Sequence, residues 1–234
     1  MKVLAIESSG QVASVAIVED AILRGEFTMN YKKTHSQTLL PMLNQMAEII
    51  DLDLNTIDAI AVSGGPGSFT GLRIGTATAK GLGLALNKPL IFIPTVDGMA
   101  FNLWGSRNII CPIMDARRNQ TYTGLYQFKE GQMETIKKQC AVDIAEIIKE
   151  INEKKEDVIF LGDGVPVFCT YIQENIKVPF QFAPAHLNEQ RAASLATLGM
   201  QFFKEGNTIS AAEFKPDYLR LSQAERERKQ KLGE

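Results

Sequence analysis

Apolar positions in this chain fall into runs that either fill a segment or alternate along it. Residues 3–6 are continuously apolar, the pattern of a strand covered on both faces. After the polar turn Ser8-Ser9-Gly10-Gln11, residues 12–18 predict a second strand. The next run alternates, with Leu23, Phe27, Met29 and Tyr31 on one face and Arg24, Glu26, Thr28 and Asn30 on the other, as in a half-covered strand. Leu39, Leu43, Met46 and Ile50 then recur at helical spacing, with Ser36 or Thr38 as the predicted cap and Pro41 close behind it. A fourth strand is predicted over 59–63, ending in Gly64-Gly65-Pro66-Gly67, and a helix over 70–86.

The second half repeats this order. Strands are predicted over 109–114, 121–128 and 133–136, then a helix from the cap Asp143 to about Ile151, then a strand over 158–161. The first of these strands ends in Asp115, as the first strand of the chain ends in Glu7, and the last ends in Gly162-Asp163-Gly164. The recurring βββαβ order predicts a duplicated α/β protein; chance repetition of a common order is the alternative. A strand over 90–93, a short helix near 96–103 and the turn Gly105-Ser106-Arg107-Asn108 separate the halves, dividing the chain into units of 1–106 and 107–220. A last helix is predicted from Asn188 to about Lys204, with Gly206 as terminator. The charge-dense stretch 221–234 reads as a solvated tail.

Composition narrows the chemistry. The 234 residues are 45% hydrophobic and 22% charged, with net charge −2, so there is no global electrostatic case for gripping nucleic acid or membrane. The apolar run before Glu7 is too short for a signal-peptide core, and no run approaches a bilayer span. Three cysteines without a C-x-x-C and two distant histidines argue against a zinc site or a disulfide framework, and a soluble cytoplasmic protein is expected.

The densest local signal is Gly64 to Arg73, GGPGSFTGLR. It is not a Walker A loop, and as a dinucleotide fingerprint it is one residue too long. It reads either as a phosphate-holding loop at a helix N-terminus or as a structural turn and contact surface. Arg73 lies in the first helical turn, where a cation is disfavoured, and is expected to reach an acidic partner. Gly71, Gly75, Ala79 and Gly83 leave one helix face nearly bare. Gly75, Gly81 and Gly83 together cost roughly 2.5–3 kcal/mol against alanine, so another backbone must approach closely. That backbone belongs either to the same chain or to a second chain, with Met42 and Met46 suited to such a surface. Four residues after His35 stands Leu39, so no H-x-x-x-H metal pair forms, and no nucleophile elbow occurs. Ser8, Ser9, Ser63 and Ser68 read as turn and cap residues, and Asp115, Arg117 and Arg118 as a charged hairpin tip with a local ion pair. Glu7 is either a carboxylate facing a metal–nucleotide or a buried hairpin acid.

The duplicated halves resemble the actin-like ATPase (ASKHA) fold. GGPGSFTGLR resembles the TsaB (YeaZ) family, as do His35-Ser36 leading to Leu39-Leu40-Pro41, Asp115-Ala116-Arg117-Arg118 and Pro216-Asp217-Tyr218-Leu219-Arg220. The resemblance spans essentially the whole chain. It implies a non-catalytic subunit needed for threonylcarbamoyladenosine in ANN-reading tRNAs, heterodimerising with the transferase TsaD through N-terminal-domain helices. The ATPase TsaE joins that assembly, tRNA is reached only through it, and the isolated chain can pair with itself. The implied interface is Leu39, Met42, Met46, Gly71, Arg73, Gly75, Ala79 and Gly83, beside the motif loop Gly65, Pro66, Gly67, Ser68, Phe69 and Thr70. A nucleotide cleft would lie among Glu7, Ser8, Ser9, Asp115, Arg117, Gly162 and Gly164. No metal or catalytic residue carries over, since Leu39 replaces the relative's second histidine. Independent nucleotide binding is not expected, because Glu7-Ser8-Ser9 departs from the family's Asp-Thr-Ser and Asp163 would face a phosphate. The alternative is an independent actin-fold ATP-dependent enzyme or a metal-dependent hydrolase.

Overall fold

A computed structural model of the chain describes residues 1–31 and 34–219; Arg220 and the predicted tail 221–234 lie outside the described residues. The first run of elements is β1 (Lys2–Glu7), β2 (Ala13–Glu19), β3 (Ile22–Met29), α1 (His35–Ile49), β4 (Ala59–Gly65), α2 (Phe69–Leu86) and β5 (Leu90–Pro94). They form a sheet of order β3-β2-β1-β4-β5, with β1 antiparallel to β2 and parallel to β4. After α3 (Thr95–Ala100), the second run is β6 (Ile109–Asp115), β7 (Gln120–Lys129), β8 (Gln132–Asp143), α4 (Ile144–Lys154), β9 (Val158–Leu161), α5 (Gly164–Asn175) and β10 (Phe180–Phe182). Its sheet has the same order, β8-β7-β6-β9-β10, with the same directions about β6. The duplication read from the sequence is therefore present in the topology.

Several elements differ from their predicted extents. β8 pairs with β7 from Gln132 to Asp143, far beyond the four residues predicted. It is an edge strand, so Lys137 and Lys138 interrupt its apolar pattern, and Lys137 reaches Glu150 of α4 at 2.6 Å. In α1 the N-cap is Thr34, not Ser36 or Thr38, and Pro41 lies inside the helix. The helix predicted from Asn188 is split into α6 (Ala185–Asn188) and α7 (Ala192–Lys204). Asn188 does not cap α7, because its side-chain amide is bonded to both backbone groups of Gly162.

α7 crosses back to pack on the first sheet. Leu195 and Ala196 join Val3, Ala5, Ala61 and Ile91 in a buried cluster that continues into Met114, Tyr126 and Leu161 of the second sheet. The 106/107 boundary thus separates the sheets in sequence, while residues 192–214 return to the first: Ile209 bridges Leu90, and Phe214 is buried with β4 and β5. The N-terminus of α7 is held by β2 and β3. Ser14 Oγ accepts from the Ala192 N–H at 3.1 Å, Glu26 Oε1 accepts from the Ala193 N–H at 3.0 Å, and Glu26 pairs with Arg191. The carboxylate of Glu26 is almost fully buried and meets the positive end of the helix dipole. Replacing Glu26 by Ala leaves the Ala193 N–H without its acceptor and Arg191 with the His186 carbonyl but no carboxylate. An equilibrium urea titration should show a loss of about 2–3 kcal/mol.

Candidate functional site

At the end of β1 the chain turns beneath α2, and the bare face of α2 is shaped to that turn. A Cβ on Gly67 would stand 2.3 Å from Ser9 O, one on Gly71 2.1 Å from Ser8 O, and one on Gly75 2.2 Å from Ser8 Oγ. The Ser8 hydroxyl donates to Gly71 O at 2.8 Å, and the Ser68 N–H donates to Ser9 O at 2.7 Å. Farther along, a Cβ on Gly83 would meet Ala211 Cβ at 2.9 Å. Ala79, Leu39, Met42 and Met46 are buried with Leu4, Ile17 and Ile60. The interface expected at Leu39, Met42, Met46, Gly71, Gly75, Ala79 and Gly83 is therefore internal packing. A stripe of small residues reports that a backbone approaches, not whose backbone it is. Arg73 alone of that set is exposed.

The motif loop joins the two most distant family strings. A Cβ on Gly65, whose φ is +116°, would lie 2.1 Å from Asp217 O, and the Asp217 N–H donates to Gly64 O at 2.6 Å. The Phe69 ring packs on Tyr218 at 4.7 Å, and the Arg73 guanidinium lies 3.9 Å above Phe69. The cation in the first turn of α2 thus rests on an aromatic face of its own helix, not on an acid within the described residues. Ser68 caps α2 through the Gly71 N–H. Pro66 follows a cis peptide bond, and Thr70 is exposed at the helix start. Ser68, Thr70, Gly71 and Ile74 line a cavity of about 250 Å³ with Tyr31 and His35. His35 Nε2 donates to Gly10 O at 2.9 Å.

Glu7 is the buried hairpin acid of the two readings. It has no exposed surface, and burial pushes its carboxyl above the usual range. Its Oε1 accepts from the Ser9 N–H and Ser9 Oγ, each at 2.6 Å, and from Ser63 Oγ at 3.1 Å; among the described residues Oε2 has no well-formed hydrogen bond.

In the second lobe, Gly162 and Gly164 press against Ile113 O, and the Asp115 N–H donates to Asp163 Oδ1 at 3.3 Å. Asp115 pairs with exposed Arg117 at 3.2 Å, the hairpin tip that was expected. Arg117, Arg118 and Asn119 all adopt left-handed backbone angles there. Burial, then the charges of Glu189 and Asp115, pushes Asp163 up to about 6. Sequence reasoning did not single out Glu189 or Gln190. Gln190 is 1% exposed, and its amide lies against Gly10, where a Cβ would stand 2.6 Å from Nε2. As a polar residue in a predicted helix it carried no signal of burial. Among the described residues, no group of three His, Cys, Asp or Glu is arranged to hold a metal.

Two lobes of one strand order, locked together through α3 and α7, define an actin-like ATPase (ASKHA) fold. YeaZ from Pseudomonas aeruginosa superimposes with a TM-score of 0.80 over 93% of this chain and 99% of its own, at 24% identity. A family model described as TsaD, tRNA N6-adenosine threonylcarbamoyltransferase, matches residues 24–228. The tRNA threonylcarbamoyladenosine biosynthesis protein TsaB of Bacillus subtilis is 32% identical, covering 96% of each chain. That of Escherichia coli is 30% identical over 94% of this chain and 95% of its own. The chain belongs to the TsaB (YeaZ) family, within the wider sequence family that the TsaD model describes.

Because the folded chain holds the Asp163 proton more tightly than the unfolded chain, this group favours folding most at acid pH and loses that contribution as pH rises through about 6. Asp163→Asn should raise stability at pH 7.5 by about 2–3 kcal/mol and flatten the profile between about pH 4 and 6. Denaturation midpoints of parent and variant from about pH 4 to 7.5 provide the measurement.

Proposed function

We propose that the chain takes part in forming threonylcarbamoyladenosine in ANN-reading tRNA as a non-catalytic subunit, by heterodimerising with the transferase TsaD. The tRNA part of this reading is supported by the curated TsaB relatives, which match the chain almost end to end. The observation that carries the pairing is the outer face of α1 and α2. The glycine face of α2 is spent on Ser8 and Ser9, so the opposite face, with Ala77, Gly81, Leu84 and Ala85, is left outward. Leu84 is 64% exposed there, and Leu40 of neighbouring α1 is 51% exposed. Arg73 is the one charge among the exposed positions of α2. Such a weakly charged helical surface suits burial against another protein and not contact with RNA phosphates.

The groups a catalyst would need are engaged within the chain. Glu7 is buried beneath α2, Ser8 and Ser9 bond to neighbouring backbone and to Glu7, and Asp163 with Glu189 would repel a phosphate. On this reading a nucleotide is held, if anywhere in the assembly, where a partner completes the site. TsaE joins through the TsaD pair, and the free chain self-associates through the same outer face. Among the described residues no helix is long and apolar enough to cross a membrane, which accords with a subunit working beside tRNA in the cytoplasm.

Ala79 is fully buried, so its substitution by Glu would test folding, not pairing. A Cβ on Gly81 would meet no atom outside its own stretch of helix within 4 Å among the described residues, and Leu84 is exposed. Gly81→Glu and Leu84→Glu should keep the circular dichroism and melting midpoint of the parent chain while weakening binding to purified TsaD at least about tenfold. Cells carrying either variant as sole copy should lose threonylcarbamoyladenosine from ANN-reading tRNAs by mass spectrometry. Unchanged affinity for TsaD in both variants would place the contact elsewhere.

A further inference from the structure

The β1–β2 turn gathers donors around a single oxygen. Ser9 contributes its N–H and its hydroxyl, and Ser63, at the end of β4, contributes a second hydroxyl, all to Glu7 Oε1. The other oxygen of the same carboxyl is buried and, among the described residues, accepts no well-formed hydrogen bond, the Ser8 N–H bearing on the carboxyl more weakly than the Ser9 and Ser63 groups. Among the described residues no cation is a partner of Glu7. A buried acid is ordinarily held by an opposite charge or by donors shared between its two oxygens. Here three donors from two segments converge on one point, the arrangement by which backbone and hydroxyl groups hold a small oxyanion.

The point is also closed from outside. The backbone of Gly67 and Gly71 lies against the carbonyls of Ser9 and Ser8, and the Gln190 amide lies against Gly10. We propose that Ser9 and Ser63 form an oxyanion pocket that the chain occupies with its own Glu7 carboxyl, so that the turn is self-ligated and shut to carboxylate or phosphate from solution. The assignment stands apart from the pairing with TsaD, since it concerns only groups buried in the isolated chain.

Formate is the probe, because Glu7→Ala removes a methylene and its carboxyl, a space into which formate fits, and leaves the donors in place. Thermal midpoints are compared in sodium formate and in sodium chloride of equal ionic strength, at mildly acidic pH. The parent chain should melt alike in both salts. Glu7→Ala should melt about 5–10 °C lower in chloride and recover at least about half of that loss in formate, as binding linked to folding requires. Glu7→Gln, whose amide oxygen accepts the same donors, should lie near the parent and ignore formate. If Glu7→Ala is unfolded in chloride, refolding yield from urea in the two salts gives the same reading. A Glu7→Ala chain that responds to formate no more than to chloride, in midpoint or in yield, overturns the proposal.

Discussion

The first lobe is organised by the contact between the Ser8-Ser9 turn and the glycines of the following loop and helix. Gly67, Gly71 and Gly75 each stand so close to that turn that a Cβ would overlap its atoms. The two helical glycines carry a propensity cost of about 1 kcal/mol each, offset here by the Ser8 bond to Gly71 O, by burial of Ile6 beneath the helix and by burial of Leu72 on the helix itself. The contact sets how near α2 lies to β1. It thereby decides which face of α2 looks outward and brings Phe69 to the place where Tyr218 meets it.

The two lobes share a strand order but fill corresponding positions differently. Glu7 ends β1 under a glycine-lined helix and is sealed among hydroxyls. Asp115 ends β6 at an open hairpin, paired with Arg117 and set beside Asp163. In the second lobe Gly162 and Gly164 admit the Ile113 carbonyl, with the Met99 side chain also against Gly162, and α5 has no glycine stripe to receive a turn. The same topology thus gives one lobe a closed polar knot and the other a partly open cluster of carboxylates. Gln190, in the connection between α6 and α7, lies against the first lobe's Gly10 while its neighbour Asn188 holds Gly162 of the second.

Much of this was legible along the chain. Continuous apolar runs located β1, β4, β6 and β9, because a strand covered on both faces needs no partner to reveal itself. The hairpin tip at Asp115 and Arg117, the cap at Asp143 and the repeat of the halves were also readable, since each depends on residues close in sequence. The full length of β8 and the break before α7 were not. One is an edge strand whose lysines hide its period, and the other is set by a bond from Asn188 to Gly162, 26 residues back along the chain. Residues 24–26 read as an ordinary half-covered strand, with nothing local to mark Glu26 as the acceptor at the N-terminus of α7.

By itself the sequence determined the order and kind of most elements, the duplication, the membership signalled by GGPGSFTGLR, and the requirement that some backbone lie against the bare face of α2. Only the tertiary structure decided that this backbone is the chain's own Ser8-Ser9 turn, that Glu7 faces inward, and that the outward surface is the one with Leu40 and Leu84. The physical reason is range. Periodicity, capping and turn chemistry act over a few residues and leave their mark in local pattern. The partner of a close contact lies dozens of residues away, and a glycine records only that space is needed, not what fills it.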